Sequence, residues 1–324
     1  MEKKIEKFFD TYAPIENAET WDNTGTLISS KFEDNKSKIM LTIDLTNKVL
    51  DEAILKKCGM IIAYHPVIFN KLNRITDEKL LKIIQNNISV YCPHTALDNK
   101  MCRRISEILG NVTVFEDFKT FILCKSNSNL SLKNFFDSVS KNLYIKKDQD
   151  VIFRCVLPDF VESNMLNKYT VEHVLIGVGA AQPDFKNVIS DLNKKNQNKN
   201  TEDEKRTGEN ESLEKNYNKH NSRDSKQMEE ALIKTEKITD QDFIDKNTIK
   251  SLNLIITGEM RHHDMLFYRE NNTCVILLEH SNIERFYCKY LKEDLKKVFP
   301  KVKFYVSHED NDPVIFYHRI RINN

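Results

Sequence analysis

An imidazole and a carboxylate four residues apart, His280 and Glu284, directly follow the apolar run Cys274–Leu278. Side chains four apart on a helix share a face, and the C-terminal end of a buried strand is where ligands bind in open α/β sheets. The same arrangement recurs upstream. His65 stands just past the run Met60-Ile-Ile-Ala-Tyr64, and Asp98 closes the segment Pro93-His-Thr-Ala-Leu-Asp98 behind the run Ile88–Tyr91. Two imidazoles and two carboxylates form a mixed nitrogen and oxygen set, which suits Zn²⁺, Fe²⁺ or Mn²⁺ and is poor for copper thiolate chemistry. One or two such ions would turn water into a nucleophile near neutral pH. Asp44 and His94 could orient the imidazoles, and His94 or His263 could shuttle protons.

Each residue also admits a structural role. Ser281-Asn-Ile-Glu284 fits a capping box, in which Glu284 turns back to the N-cap amide. Asp98 could cap the helix that follows it, and His65, before Pro66, could be a hydrogen-bonded loop histidine. Glu259 and His263 are again four apart in Gly-Glu-Met-Arg-His-His-Asp264, with substrate contact and a plain surface helix start as the competing readings. Gly177-Val-Gly179 lacks the third glycine and downstream acid of a dinucleotide site.

The elements that must position these residues alternate in type. Ile5, Phe8, Phe9 and Tyr12 recur at helical spacing, and Pro14 ends that element. Trp21-Asp-Asn-Thr-Gly25 reads as a loop, with Trp21, the single tryptophan, anchoring it on the sheet. Strands are expected at 26–29, 38–44, 60–64, 88–91, 171–177, 252–256 and 274–278. Helices are expected at 46–57, with Gly59 as its left-handed stop, at 77–85, at 100–109 before Gly110, and at 282–299. Strands also fit near 112–114, 120–124 and 151–156, around a helix at 132–142, with closing strands at 302–306 and 314–320. Strands alternating with helices predict an α/β fold of mixed sheets flanked by helices.

The expected divisions are residues 1–117, holding His65 and Asp98; a middle lobe, 118–192; an Asn/Lys/Glu-rich stretch, 193–246; and residues 247–324, holding His280 and Glu284. Between Asn193 and Glu230 only Leu213, Tyr217 and Met228 are large and apolar, too few to offset the ordering entropy, so the stretch is expected to be a disordered insertion.

Lys+Arg 49 against Asp+Glu 48 leaves a net charge of +1, which gives no strong nucleic-acid signal. No apolar run reaches the roughly 18 residues of a membrane span. Seven cysteines with no Cys-x-x-Cys pair point to buried free thiols in a reducing compartment. The charged N-terminus has no signal-peptide core, so a cytoplasmic location, and also a nuclear one, is expected.

Trp21-Asp-Asn-Thr-Gly25, Tyr64-His-Pro-Val-Ile-Phe69, Pro93-His-Thr-Ala-Leu-Asp98, Ile256-Thr-Gly-Glu-Met-Arg-His-His-Asp264, Glu279-His-Ser-Asn-Ile-Glu-Arg285 and Asp312-Pro313 together resemble the NGG-one-interacting factor three-like family. It is also called the domain of unknown function thirty-four family, and some bacterial members carry the name GTP cyclohydrolase I type II. The resemblance covers most of 1–115, then 170–190 and 250–315. It implies two related α/β halves, a toroidal homohexamer and a dinuclear metal site with His65, Asp98, His280 and Glu284 as ligands. Many bacterial members have a histidine where this chain has Tyr64, as in the eukaryotic-like branch. The implied activities are hydrolysis of a nucleotide-like substrate by metal-activated water or, without catalysis, metal-dependent docking to protein partners such as transcriptional co-regulators.

Overall fold

The computed structural model describes residues 1–30, 37–128, 130–143, 153–181, 183–195 and 251–314. The described residues up to 185 and from 251 to 314 form one compact unit, and 186–195 belong to a second. The expected insertion at 193–246 lies outside the described residues apart from 193–195, the last turn of a helix. Of the strand expected at 314–320, only Val314 is described, and it is not in a strand.

The first unit contains two sheets. One has the order β1-β4-β3-β2-β11, formed by β1 (Gly25–Ile28), β2 (Lys38–Thr42), β3 (Met60–Ala63), β4 (Ser89–Cys92) and β11 (Lys303–Val306). Its strands are parallel except β1, which pairs antiparallel with β4. The other has the order β5-β6-β8-β9-β10-β7, formed by β5 (Val112–Asp117), β6 (Phe121–Ser126), β7 (Arg154–Val156), β8 (Thr170–Gly177), β9 (Ser251–Thr257) and β10 (Thr273–Leu277). Here β8, β9 and β10 are parallel, with antiparallel strands on both sides. Placing β11 beside β2 takes the C-terminal part of the chain back into the N-terminal sheet. The helices are α1 (Glu2–Tyr12), α2 (Asn47–Leu55), α3 (Glu78–Gln85), α4 (Asp98–Leu109), α5 (Leu132–Asn142), α6 (185–195), α7 (His262–Glu270), α8 (Asn282–Arg285) and α9 (Cys288–Val298).

Alternation along β2 and β3 divides the core. Ile39, Leu41, Ile43, Met60, Ile62 and Tyr64 face a cluster shared with Val174, Ile176, Leu254, Ile256 and Ile276 of the second sheet. Met40, Ile61 and Ala63 point the other way, against Val49, Leu50 and Ala53 of α2 and Leu80 and Ile83 of α3. Continuous apolar strands buried on both faces are what parallel sheets require. Each fully buried Ile or Leu contributes about 1.5–3 kcal/mol, and the shared cluster keeps the two sheets in one core.

Three local expectations are corrected. Lys57, with φ +57°, rather than Gly59, takes the left-handed position after α2, because Gly59 N already donates to Lys38 O and enters the sheet. The helix expected over 282–299 is broken at Phe286–Tyr287. Tyr287 N donates to Glu284 O, three residues back, and both aromatics at this tighter turn are buried. Trp21 does not anchor its loop on the sheet: it is 59% exposed, and the loop is held by polar bonds of Asp22 and Asn23.

Candidate metal centre

His65 follows β3, with its backbone N donating to Ile43 O at 3.0 Å. Nδ1 donates to Asp44 Oδ1 at 2.8 Å, and Nε2 faces Glu284 Oε2 at 3.3 Å. Burial alone would lower the His65 pKa, but the bond to Asp44 and the negative charge of the nearby Glu284 carboxylate outweigh it and push the value up to about 10. Such surroundings attract positive charge, either a proton or a metal ion.

His280 comes off the end of β10. Glu279, immediately before it, has φ +66°, a conformation that costs a non-glycine residue about 1–3 kcal/mol. Its carboxylate is held by Arg154 at 2.9 and 3.2 Å. This turn brings His280 Nδ1 to Glu259 Oε1 at 2.9 Å and leaves Nε2 3.8 Å from Glu284 Oε1. Glu259 is itself fixed, its N donating to Gly179 O and its O accepting from Ala181 N.

Glu284 sits on α8, buried. The capping box does not form: Ser281 makes no side-chain cap, and its hydroxyl instead contacts Asp312 and Arg285. Glu284 Oε2 and His65 Nε2 are both buried without a hydrogen-bond partner. Their 3.3 Å separation is short enough for an ion pair, yet the ring geometry does not direct a hydrogen bond along it. Buried polar atoms are nearly always satisfied, so two such atoms facing each other single this place out as a candidate for a cation. His65, His280 and Glu284 each offer one atom, all within 4.8 Å of one another.

Two glycines make the approach possible. A Cβ on Gly179, at φ +60°, would lie 2.7 Å from Glu284 Oε1. One on Gly258 would lie 2.5 Å from Gly179 O and 2.9 Å from His280 Cα. Gly179, the second glycine of the Gly-x-Gly pair, and Gly258 therefore serve close packing beneath the cluster.

Asp98 stands outside this three-residue group. It is the first residue of α4, not its cap, and Oδ1 accepts from Tyr64 Oη at 2.6 Å. Burial dominates its carboxyl and holds the pKa well above the ordinary value, with the Tyr64 bond opposing. Tyr64, in the position before His65, is likewise buried, and burial raises its phenol pKa.

Asp44 links the cluster to a wider network. Its Oδ2 accepts from Arg285 Nη2 at 2.9 Å, and Arg285 also binds Asp310 Oδ1 at 2.9 Å. Asp310 Oδ2 in turn accepts from Ile43 N at 2.7 Å. Burial alone would raise the Asp44 pKa, but His65 and Arg285 outweigh it and hold the carboxyl below its ordinary value. His94 lies beside the cluster, its ring centroid 5.6 Å from that of His65, and Nδ1 bonds Asp22 Oδ1 at 2.6 Å. His263 is exposed on the first turn of α7 against His262. The residue that reaches His280 is Glu259, which the sequence showed only as the partner of His263 at helical spacing.

A family model described as Duf34/NIF3 (NGG1p interacting factor 3) matches residues 1–188 and 239–313. The NIF3-like protein 1 of Drosophila melanogaster is 28% identical over 320 residues, covering 96% of this chain and 87% of that protein. The NGG1-interacting factor 3 of Saccharomyces cerevisiae is 26% identical over 347 residues, covering 96% and 94%. A GTP cyclohydrolase 1 type 2 homolog of Clostridium acetobutylicum is 34% identical over 164 residues, covering 44% and 60%. Among solved structures, reduced HcgD from Methanocaldococcus jannaschii has a TM-score of 0.61 at 17% identity, covering 94% of this chain and 96% of that one. The hypothetical protein SA1388 of Staphylococcus aureus has a TM-score of 0.60 at 16% identity, covering 98% and 99%. At these identities the structural likeness is one of fold.

Proposed function

The chain belongs to the Duf34/NIF3 family, and from that premise we propose that it binds a divalent cation through His65, His280 and Glu284 and hydrolyses a nucleotide-like substrate. The observation that supports this best is the buried, unpartnered pair His65 Nε2 and Glu284 Oε2. The donor set suits Zn²⁺, Fe²⁺ or Mn²⁺, as one ion or as two with Asp98 as a further ligand. Such an ion supplies Lewis-acid activation of water or of the scissile group. The chain's own residues do the positioning. Asp44 and Glu259 take the Nδ1 protons of His65 and His280, which leaves each Nε2 turned toward Glu284. His94, oriented by Asp22, is placed to accept or return a proton. The name of the Clostridium relative supports a purine nucleotide as the first substrate to test.

Elemental analysis of the purified chain, beside the His65→Ala/His280→Ala variant, tests the metal. GTP hydrolysis by the wild type, abolished in Glu284→Ala, tests the reaction. Metal in the wild type and none in the variant is the expected result, and a metal-free wild type sinks the reading.

One observation favours a second reading, metal-dependent docking to protein partners without turnover: the Tyr64 hydroxyl occupies an oxygen of Asp98, leaving a thinner ligand set for a second ion. Metal retained without turnover over a broad substrate panel would favour it. A homohexamer in the cytoplasm or nucleus belongs to the same proposal. The names of the yeast and fly relatives point to such partners, and the seven free cysteines are in keeping with a reducing compartment. Among the described residues no helix is long and apolar enough to cross a membrane. Analytical ultracentrifugation of the full chain tests the assembly.

A further inference from the structure

Trp21 is 59% exposed and Phe69 53% exposed, and their ring centroids lie 5.9 Å apart at 47°. Trp21 also meets His94 at 6.0 Å and 75°, and His94 meets His65 at 5.6 Å and 77°. A continuous row of rings thus runs from open surface to the buried edge of the candidate metal centre. The indole does no work in holding its own loop. Asn23 Nδ2 donates to Ile68 O at 2.5 Å, tying the Trp21 loop to the Phe69 loop. Asp22 receives Thr95 N at 3.1 Å, Thr95 Oγ1 at 2.5 Å and the His94 ring. Thr95 Oγ1 accepts from Glu19 N at 2.9 Å. Two large aromatic faces are therefore displayed on a braced scaffold that would keep its shape without them. An exposed aromatic on a rigid support binds a flat partner at little ordering cost.

We infer that Trp21 and Phe69 form a stacking platform for a planar heteroaromatic ring of the nucleobase class, which places that ring's edge or substituents beside His94 and His65. Its role as a substrate subsite rests on the proposed reading of the His65 cluster as the reacting centre. Stacking on an aromatic face tolerates any base, so the platform selects for a flat ring and leaves the discrimination among bases to groups near His94.

Trp21 is the single tryptophan of the chain, so its emission reports on the platform alone. The metal-replete full chain is titrated with GTP, with guanosine and with inorganic triphosphate. Saturable quenching by GTP and guanosine but not by triphosphate is expected. Phe69→Ala should weaken both by roughly ten-fold or more. By calorimetry Trp21→Phe should retain binding and Trp21→Ala lose it, with metal content unchanged in all three variants. Emission that neither ligand moves, in protein with full metal content, overturns the inference and leaves the metal reading standing. Blue-shifted emission that is insensitive to ligand, in an assembled oligomer, gives Trp21 to a contact between copies and overturns it too. Quenching in a chain that holds no metal keeps the platform and removes the metal reading instead.

Discussion

His65 Nε2 and Glu284 Oε2 face each other at 3.3 Å, both buried and neither hydrogen-bonded. The two atoms come from opposite parts of the chain, one behind β3 and the other on α8. An ion bound there couples affinity to folding, because the pair is assembled only in the folded state. Excess Zn²⁺ or Mn²⁺ should therefore stabilise the chelator-treated chain, by about 2.7 kcal/mol at a free concentration of a hundred times Kd. Thermal melts with and without the ion measure this, and Glu284→Ala should abolish the shift. Equal melts in every condition would remove the site.

Gly179 and Gly110 provide a matched pair. Both have positive φ, but a Cβ on Gly110 meets only Glu107 O at 3.9 Å, whereas one on Gly179 strikes Glu284 Oε1 at 2.7 Å. Alanine at either position should cost about 1–3 kcal/mol in backbone strain. Only Gly179→Ala should also lower metal content, because it displaces a ligand. Urea melts and elemental analysis of the two variants separate strain from displacement.

Asp44→Asn keeps the shape of the side chain but removes its negative charge, and the single remaining amide oxygen cannot accept from both the His65 ring and Arg285. Loss of such an orienting partner typically weakens metal binding by about 10–100-fold. Competition against a chromophoric chelator gives the ratio. An affinity equal to wild type would show that the Asp44 charge does not set the affinity of the His65 ring.

Asp22 contributes a pH dependence of known sign. Burial by itself would raise its pKa, but the bonds from His94 and Thr95 outweigh that and hold the folded value below the ordinary one. The unfolded chain then binds the proton more readily. The stabilisation is complete above the unfolded value, about 3.9, and is lost as pH falls through the lower folded one. Asp22→Asn should cost about 1.5–3 kcal/mol at neutral pH and much less at pH values below the folded pKa. Urea melts across the acid limb test this, and a cost that does not change with pH would contradict it.

Much of the architecture was legible from local pattern. Apolar runs mark the parallel strands, Thr46 and Asp77 cap α2 and α3, and Gly110 stops α4 at φ +71°. The spacing of His280 and Glu284 showed that they could share a ligand. Other features were misleading at that level. Ser281-x-x-Glu284 has the letters of a capping box, yet Arg285 and Asp312 take the serine hydroxyl. Trp21 has the character of a core residue, yet its polar neighbours hold the loop without it. Phe286 and Tyr287 fit a helical run, yet the chain takes a tighter turn there, with Tyr287 N donating to Glu284 O.

Local periodicity belongs to contiguous residues, because propensity and alternation act over one or two turns, and so strands, helices and their stops can be read along the chain. Convergence is not local. Glu259 reaching His280, Gly179 opening space under Glu284, Tyr64 taking an oxygen of Asp98 and the Arg285 bridge between Asp44 and Asp310 all depend on the register and separation of elements far apart in sequence. Packing of two sheets around a shared core sets those distances, and a change of an ångström at a strand end would separate the three candidate ligands.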